Sequence, residues 1–509
     1  MAWSTSRRAI IAVVPASLLL QASAAAQGTA VPDDEVVRPP PGTPGSRPVL
    51  TPLPLKAAVA TATSTTARVA TTDAKPETDQ FQAHMSSQTF ARMFRRRYLL
   101  DAGGVGPEDE TLAPIYEYVS LRVEDIDAPW QKDAIDFRLN AWGLVDTMDV
   151  SQDRRLTGDL TSALITAHFG RAYVTLGRQL SIGGAARFTR FDGASAGYHH
   201  SSGLGVDAYG GFSVLPRFTG RPEYVMLGSR ADSMLRNPNA LPTSSLTGFW
   251  LGGGRVSWSR ETIGAIGLSF HEERQRDALS RRWASIDVNL EPTWWLIAGG
   301  VASLDLDSMH AAEARGFVDY RPRGPFAATL DILHSDPSLF LSKTSVLSVF
   351  SLDTFTELGG ELNYRLKKSV LLGASGHHVW FSDSTSGNRV SARIRATWGA
   401  RDNLVTQLRY GRSHEAILGY HTVRGTVSYN FRAPFIATAE LHEYIYDQPI
   451  RGVRNSTYGS ATLEYAEPTR PWRLMIGGFA TQSPYADIEM QALARFTYDW
   501  QVTAGKAKR

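Results

Sequence analysis

The chain has 509 residues, 20% of them charged, a formal net charge of +3 and a mean hydropathy of −0.20. So small a charge on this length does not point to nucleic acid, and the absence of cysteine excludes disulfides, zinc–thiolate sites and thiol catalysis. After the first thirty residues no apolar run reaches the roughly 20 residues that a membrane-crossing helix needs.

Residues 1–26 begin with Arg7 and Arg8, continue with an apolar stretch from Ala9 to Leu20, and end on Ala24-Ala25-Ala26. This is the form of a secretory signal peptide cleaved near Ala26; it is short and broken by Pro15, which argues against a stable anchor. Residues 27–80 are rich in Pro, Thr, Ala and Val and lack clustered large apolar residues, so they read as a disordered periplasmic linker. Residues 81–112 are expected to form a short periplasmic segment, with a short helix over Phe81 to Leu100 that ends in Arg95-Arg96-Arg97. That basic run reads as a solvated face, with contact to lipid phosphate as the minority reading.

From Ile135 to Trp500 one pattern recurs: about ten residues of apolar/polar alternation, an aromatic residue, then a tight turn. In Val423 to Phe431, the residues Val423, Gly425, Val427, Tyr429 and Phe431 share one face, while Arg424, Thr426, Ser428 and Asn430 share the other. Val390 to Trp398 and Thr356 to Tyr364 repeat the arrangement, with Arg393 and Arg395 or Glu357 and Glu361 on the polar face. A soluble sandwich would fill its apolar face with large core residues. Here that face carries many Ala and Gly and the opposite face carries Arg and Glu, as lipid outside and water inside require. The reading is an all-β transmembrane antiparallel barrel over residues 113–500 in a bacterial outer membrane, followed by a tail at 501–509.

Short connections at Phe169-Gly170-Arg171, Ala433-Pro434 and Glu467 to Pro471 alternate with longer ones at Ser335 to Thr354 and Tyr446 to Ser456. Phe169, Trp258, Tyr320, Tyr364, Trp398, Tyr429, Phe431 and Tyr465 precede short turns and define a periplasmic girdle. About twenty strands are counted from Ile135 on, and Ile115 to Ile126 adds another. Both chain ends belong on one side, so the number must be even, and the expectation is about 18 strands, within 16 to 20.

A barrel this wide holds an aqueous channel, which weighs against an enzyme. His377 and His378 point to opposite faces of a strand, and His199-His200 lacks a third ligand, so neither pair argues for a metal. No catalytic residue and no cofactor are expected. The region with most functional weight is Gly177-Arg178-Gln179, then Gly183-Gly184, Arg187, Arg190 and Phe191-Asp192-Gly193. Glycines let the backbone fold against the wall, and Arg forks pair with Asp192 or with an anionic group on a passing ligand. The bland alternative is a loop folded into the pore and held by an Arg–Asp pair. Further lumen candidates are Arg255, Arg393, Arg395, Arg409 and Arg424.

These motifs, with Tyr116 to Leu121 before them, resemble outer-membrane porins of the alginate-export type and, more broadly, barrels of polysaccharide secretion. The resemblance implies a single-chain barrel with a charged conduit, passive transport and no cofactor. In the alginate exporter the lumen is Arg-rich. This chain also places Asp136, Glu313, Asp319, Glu357, Glu361, Glu464 and Glu489 inward, so its lumen is mixed. Three functions stay open: a polysaccharide-secretion conduit working with periplasmic and inner-membrane components, a diffusion porin for small solutes, and a plugged structural or adhesion barrel. A monomer embedded in outer-membrane lipid is the expected state.

Overall fold

The computed structural model describes residues 80–98, 108–128, 130–146, 156–214, 249–260, 263–275, 278–336, 354–399, 402–414, 419–431, 434–450, 452–484 and 486–505. The expected signal peptide and linker lie outside them. The described chain is strand almost throughout: β1 Gln80–Tyr98, β2 Glu108–Leu112, β3 Pro114–Ala128, β4 Gln131–Asp146, β5 Leu156–Phe169, β6 Ala172–Gly183, β7 Arg187–His199 and β8 Leu204–Ser213. Then come β9 Phe249–Arg260, β10 Gly264–Gln275, β11 Ala278–Thr293, β12 Leu296–Asp305, β13 His310–Tyr320, β14 Phe326–Ser335, β15 Phe355–Lys367 and β16 Val370–Phe381. The last seven are β17 Ser386–Trp398, β18 Leu404–His414, β19 Gly419–Asn430, β20 Phe435–Ile450, β21 Val453–Ala466, β22 Trp472–Gln482 and β23 Ala486–Gly505.

From β3 to β23 each strand pairs antiparallel with the next, and β1 closes the ring by pairing with β23 from Gln80↔Gly505 to Tyr98↔Ala486. On its other side β1 pairs with β2 and β3, which occupy one wall position broken only at Ala113. Of the 23 strands these two count once, so the wall has 22 positions rather than about 18. Within the expected segment 81–112, the described residues 81–98 and 108–112 are wall rather than helix, and the wall runs on to Gly505. Parity is restored by adding β1 as the partner of β3, whereas the sequence reading restored it by discarding a strand. β1 escapes a pattern search because its outward positions include Ser87 and Thr89, and the run Arg95 to Arg97 ends it.

The outer face is set by exposed large apolar residues at alternate positions, among them Leu176 at 58%, Leu268 at 59% and Leu330 at 62% exposure. Outward aromatics gather at the rim of the short turns, where Phe435 meets Tyr465 at 5.3 Å and Tyr465 stacks on Trp472 at 4.8 Å. Rings there cover apolar surface and offer polar edges to the interface, which is why both ends of such bands are aromatic. The expected long loop at Tyr446 to Ser456 is instead an extension of β20 and β21, turning at Gly452 (φ +81°).

Candidate functional site

One hairpin leaves the wall. β6 pairs with β5 only as far as Arg178↔Ala163, and β7 pairs with β8 only as far as Phe191↔Ser213. Beyond those points Gln179 to Gly183 pairs only with Arg187 to Phe191. The departure begins at Gly177 (φ +119°), where a Cβ would strike the Ala163 carbonyl. At the tip, Gly184–Ala186 makes a 3-10 turn, and the Ala185 amide donates to Ser269 Oγ of β10 at 2.8 Å. Ala185 is buried together with Trp283 of β11 and Ala312 of β13. Phe191, Leu251 and His271 are fully covered beside them, and Tyr209 Oη meets His271 Nδ1 at 2.9 Å. The inner wall of β10–β13 therefore carries a small core, and the hairpin is the other half of it.

Arg178 grips Asp192 with two bonds, 2.7 Å from Nε and 2.8 Å from Nη2, and donates to the Leu160 carbonyl at 3.1 Å. Arg190 reaches Asp159 of β5 at 2.6 Å, and both side chains are buried. Gln179 binds the Thr175 and Gly193 carbonyls and accepts from Ser195 Oγ. Strand alternation puts Gln179 and Phe191 toward the lumen. Arg178 and Asp192 stand opposite each other where the hairpin leaves the wall, and Arg178 Nη1 also reaches Asp159 at 3.5 Å. The Arg187 side chain lies outside the described residues.

Several lumen side chains skip a strand by crossing a glycine. Arg255 of β9 lies over Gly267 of β10 to reach Asp287 of β11 at 2.5 Å. Arg393 of β17 crosses Gly373 of β16 to Glu361 of β15, also at 2.5 Å. His377 crosses Gly359 to Asp331 at 3.2 Å, and Tyr173 crosses Gly197 to Asp207 at 2.8 Å. A Cβ at each of these glycines would occupy the space that the crossing side chain uses. His377 and His378 do diverge: His378 binds Asn388 and packs on Trp380. Of the other pair, His199 binds Asp207 and His200 binds Ser202.

Register aligns three of the candidate arginines. Arg393 is directly opposite Arg409, and Arg409 is opposite Arg424, so three guanidiniums stand in one row across β17, β18 and β19. The outer two are neutralised, Arg393 by Glu361 and Arg424 by Glu440 at 2.9 Å. Arg409 between them meets only Ser391 Oγ, at 3.5 Å, and has no carboxylate partner among the described residues. Arg395, inward and two residues beyond Arg393, has none among them either. Sequence reasoning found these four residues one by one. It missed their alignment, and it missed Asp159, Asp207, Tyr209 and His271.

A closed antiparallel ring with an apolar outer band, an aromatic rim and a charged interior is a transmembrane β-barrel, the architecture of a Gram-negative outer membrane. No family model matches the chain, and no curated protein does. Among solved structures it is similar to OccAB4 of Acinetobacter baumannii, at 9% identity and a TM-score of 0.41, covering 84% of this chain and 100% of that one. It is also similar to the translocation pore of the P pilus usher PapC, at 8% identity and 0.44, covering 83% and 100%. A third is the Pseudomonas aeruginosa outer membrane protein OpdK, at 9% and 0.37, covering 82% and 99%.

Proposed function

We propose that this barrel is a passive conduit for an acidic saccharide chain, in which the row Arg393, Arg409 and Arg424 meets the charge of the solute. The observation that carries this reading is Arg409: an inward cation between two neutralised ones, with no carboxylate of its own among the described residues. Such a group holds counter-anions near the wall without chemistry, and the paired charges beside it orient rather than trap them. Arg395 extends the same field, and Arg255 stiffens the opposite wall through Asp287. Short turns face the periplasm in this reading, with the residues before Gln80 available to secretion components there. The chain works as a monomer.

A second reading, a diffusion porin for small anions, is favoured by the inturned hairpin, which takes up lumen space beside β10–β13. Planar bilayers and a deletion strain separate the two. Export predicts anion-selective conductance blocked by acidic oligosaccharide, together with loss of surface polysaccharide and normal small-solute uptake on deletion. Impaired uptake with intact surface polysaccharide supports the porin, and absence of conductance overturns both.

A further inference from the structure

The arginine row does not stop at Arg424. The next residue in register is His442 of β20, and beyond it Tyr458 of β21. His442 lies against Tyr444 with ring centroids 4.4 Å apart, and Tyr444 lies against Tyr420 of β19 at 5.7 Å. Tyr420, His442, Tyr444 and Tyr458 occupy the alternate positions to outward Val423, Leu441, Ile445 and Leu463, so all four line the lumen. They are half-buried, which leaves ring surface open to the channel. Thr422 and Ser456, the cross-strand neighbours of Tyr444, place hydroxyls beside the rings.

An inward aromatic in a water-filled barrel costs hydration without stabilising the lipid contact, and several in one patch call for a partner within the lumen. The patch offers ring faces, hydroxyls at their edges, and cations one strand away. A ligand that matches all three presents C–H groups on a flat face, hydroxyls around its rim and a carboxylate at one end. The electron-rich ring faces attract the polarised C–H groups, and a guanidinium takes the carboxylate.

We propose that Tyr420, His442, Tyr444 and Tyr458 form a stacking subsite for a pyranose ring, and that Arg409 beside it binds the carboxylate of that sugar, so the channel retards sugar acids over other anions of equal charge. This deepens the reading of an acidic-saccharide conduit and rests on it. Because many weak ring contacts replace one strong one, a chain can step from site to site, as conduction requires.

The test is current block in planar bilayers by three tricarboxylates: trigalacturonate, citrate, which has no ring, and trimesate, which is planar and aromatic. Trigalacturonate is expected to block the wild-type channel best. Tyr444→Ala is expected to weaken that block roughly fivefold, the factor equivalent to about 1 kcal/mol of ring contact, while citrate block stays constant. Tyr444→Phe keeps the ring face and retains the block. Heat-modifiable migration on gels confirms that each variant is folded, and Tyr420→Ala serves if Tyr444→Ala is not. Equal weakening of citrate block, or an unchanged trigalacturonate block, overturns the subsite. Dependence on Tyr444 for trimesate but not for trigalacturonate overturns it in favour of an aromatic acid. If citrate neither blocks nor finds an anion-selective pore, the underlying conduit reading fails instead.

Discussion

The Ala185 amide hydrogen-bonds Ser269 Oγ although β6 and β10 are separated in the wall by β7, β8 and β9. The contact is made through the lumen, by a hairpin that stops being wall at Arg178 and Phe191. Ser269 in turn holds Ser285 at 2.7 Å, so the tip is seated on two adjacent strands.

Gly184 is the most sensitive point of that seat. It has φ +55° and a Cβ there would strike Ser269 Oγ, so Gly184→Val combines backbone strain with overpacking. The expected result is an undocked hairpin, a larger single-channel conductance and greater access of quencher to Trp283. Unchanged conductance would show that the hairpin does not limit the pore.

The two arginines at the base of the hairpin differ in burial and should differ in cost. Arg190→Ala takes the 2.6 Å partner from buried Asp159, which keeps Arg178 Nη1 at 3.5 Å, and about 2–3 kcal/mol is expected. Arg178→Ala breaks a pair whose Asp192 side chain is 48% exposed, and about 1 kcal/mol is expected. Urea unfolding from lipid vesicles measures both, and equal losses would contradict the difference in burial.

Charge in the arginine row is read by reversal potential across a KCl gradient. Arg409→Ala is expected to move it toward cation selectivity. Glu440→Gln, which leaves Arg424 without that carboxylate, is expected to move it the opposite way. Both shifts should fade in molar salt, where screening acts within about 3 Å. A shift of the same sign in both variants would rule out a simple charge effect.

Facing was legible in the sequence because it needs only alternation. Val390, Ile394 and Trp398 are outward, and Arg393 is in the lumen with Glu361. Alignment between strands was not legible, since Arg393, Arg409 and Arg424 come level only through the pairing register of β17, β18 and β19. The count failed at β1, whose outward hydroxyls hide its period. The crossings over Gly267 and Gly373 do have a signal: an inward glycine with a long side chain opposite it on one neighbouring strand and a carboxylate nearby on the other. Using that signal requires the register first.

The facing itself is open to a direct check with adjacent residues of β14. Leu330→Arg puts a cation on the lipid face and is expected to cost about 2–4 kcal/mol near mid-depth. Thr329→Arg points into the lumen, where the penalty is much smaller and the change appears in selectivity. Urea titration of both variants in vesicles decides it, and similar penalties would mean that the two faces are alike.

Glu117 of β3 shares the outward face with Ile115 and Val119, and takes hydrogen bonds from Ser87 Oγ and Thr89 Oγ1 of β1, both at 2.5 Å. Thr89 is level with Phe496 and four residues above Met85, which is level with rim Trp500, so the acid stands well inside the apolar band. A carboxyl group entering hydrocarbon without donors is heavily penalised. Its donors come from the strand that precedes it in the chain, not from β23. The β1–β3 pair thus carries its own shield for Glu117 within the bilayer, independent of the seam that β1 makes with β23.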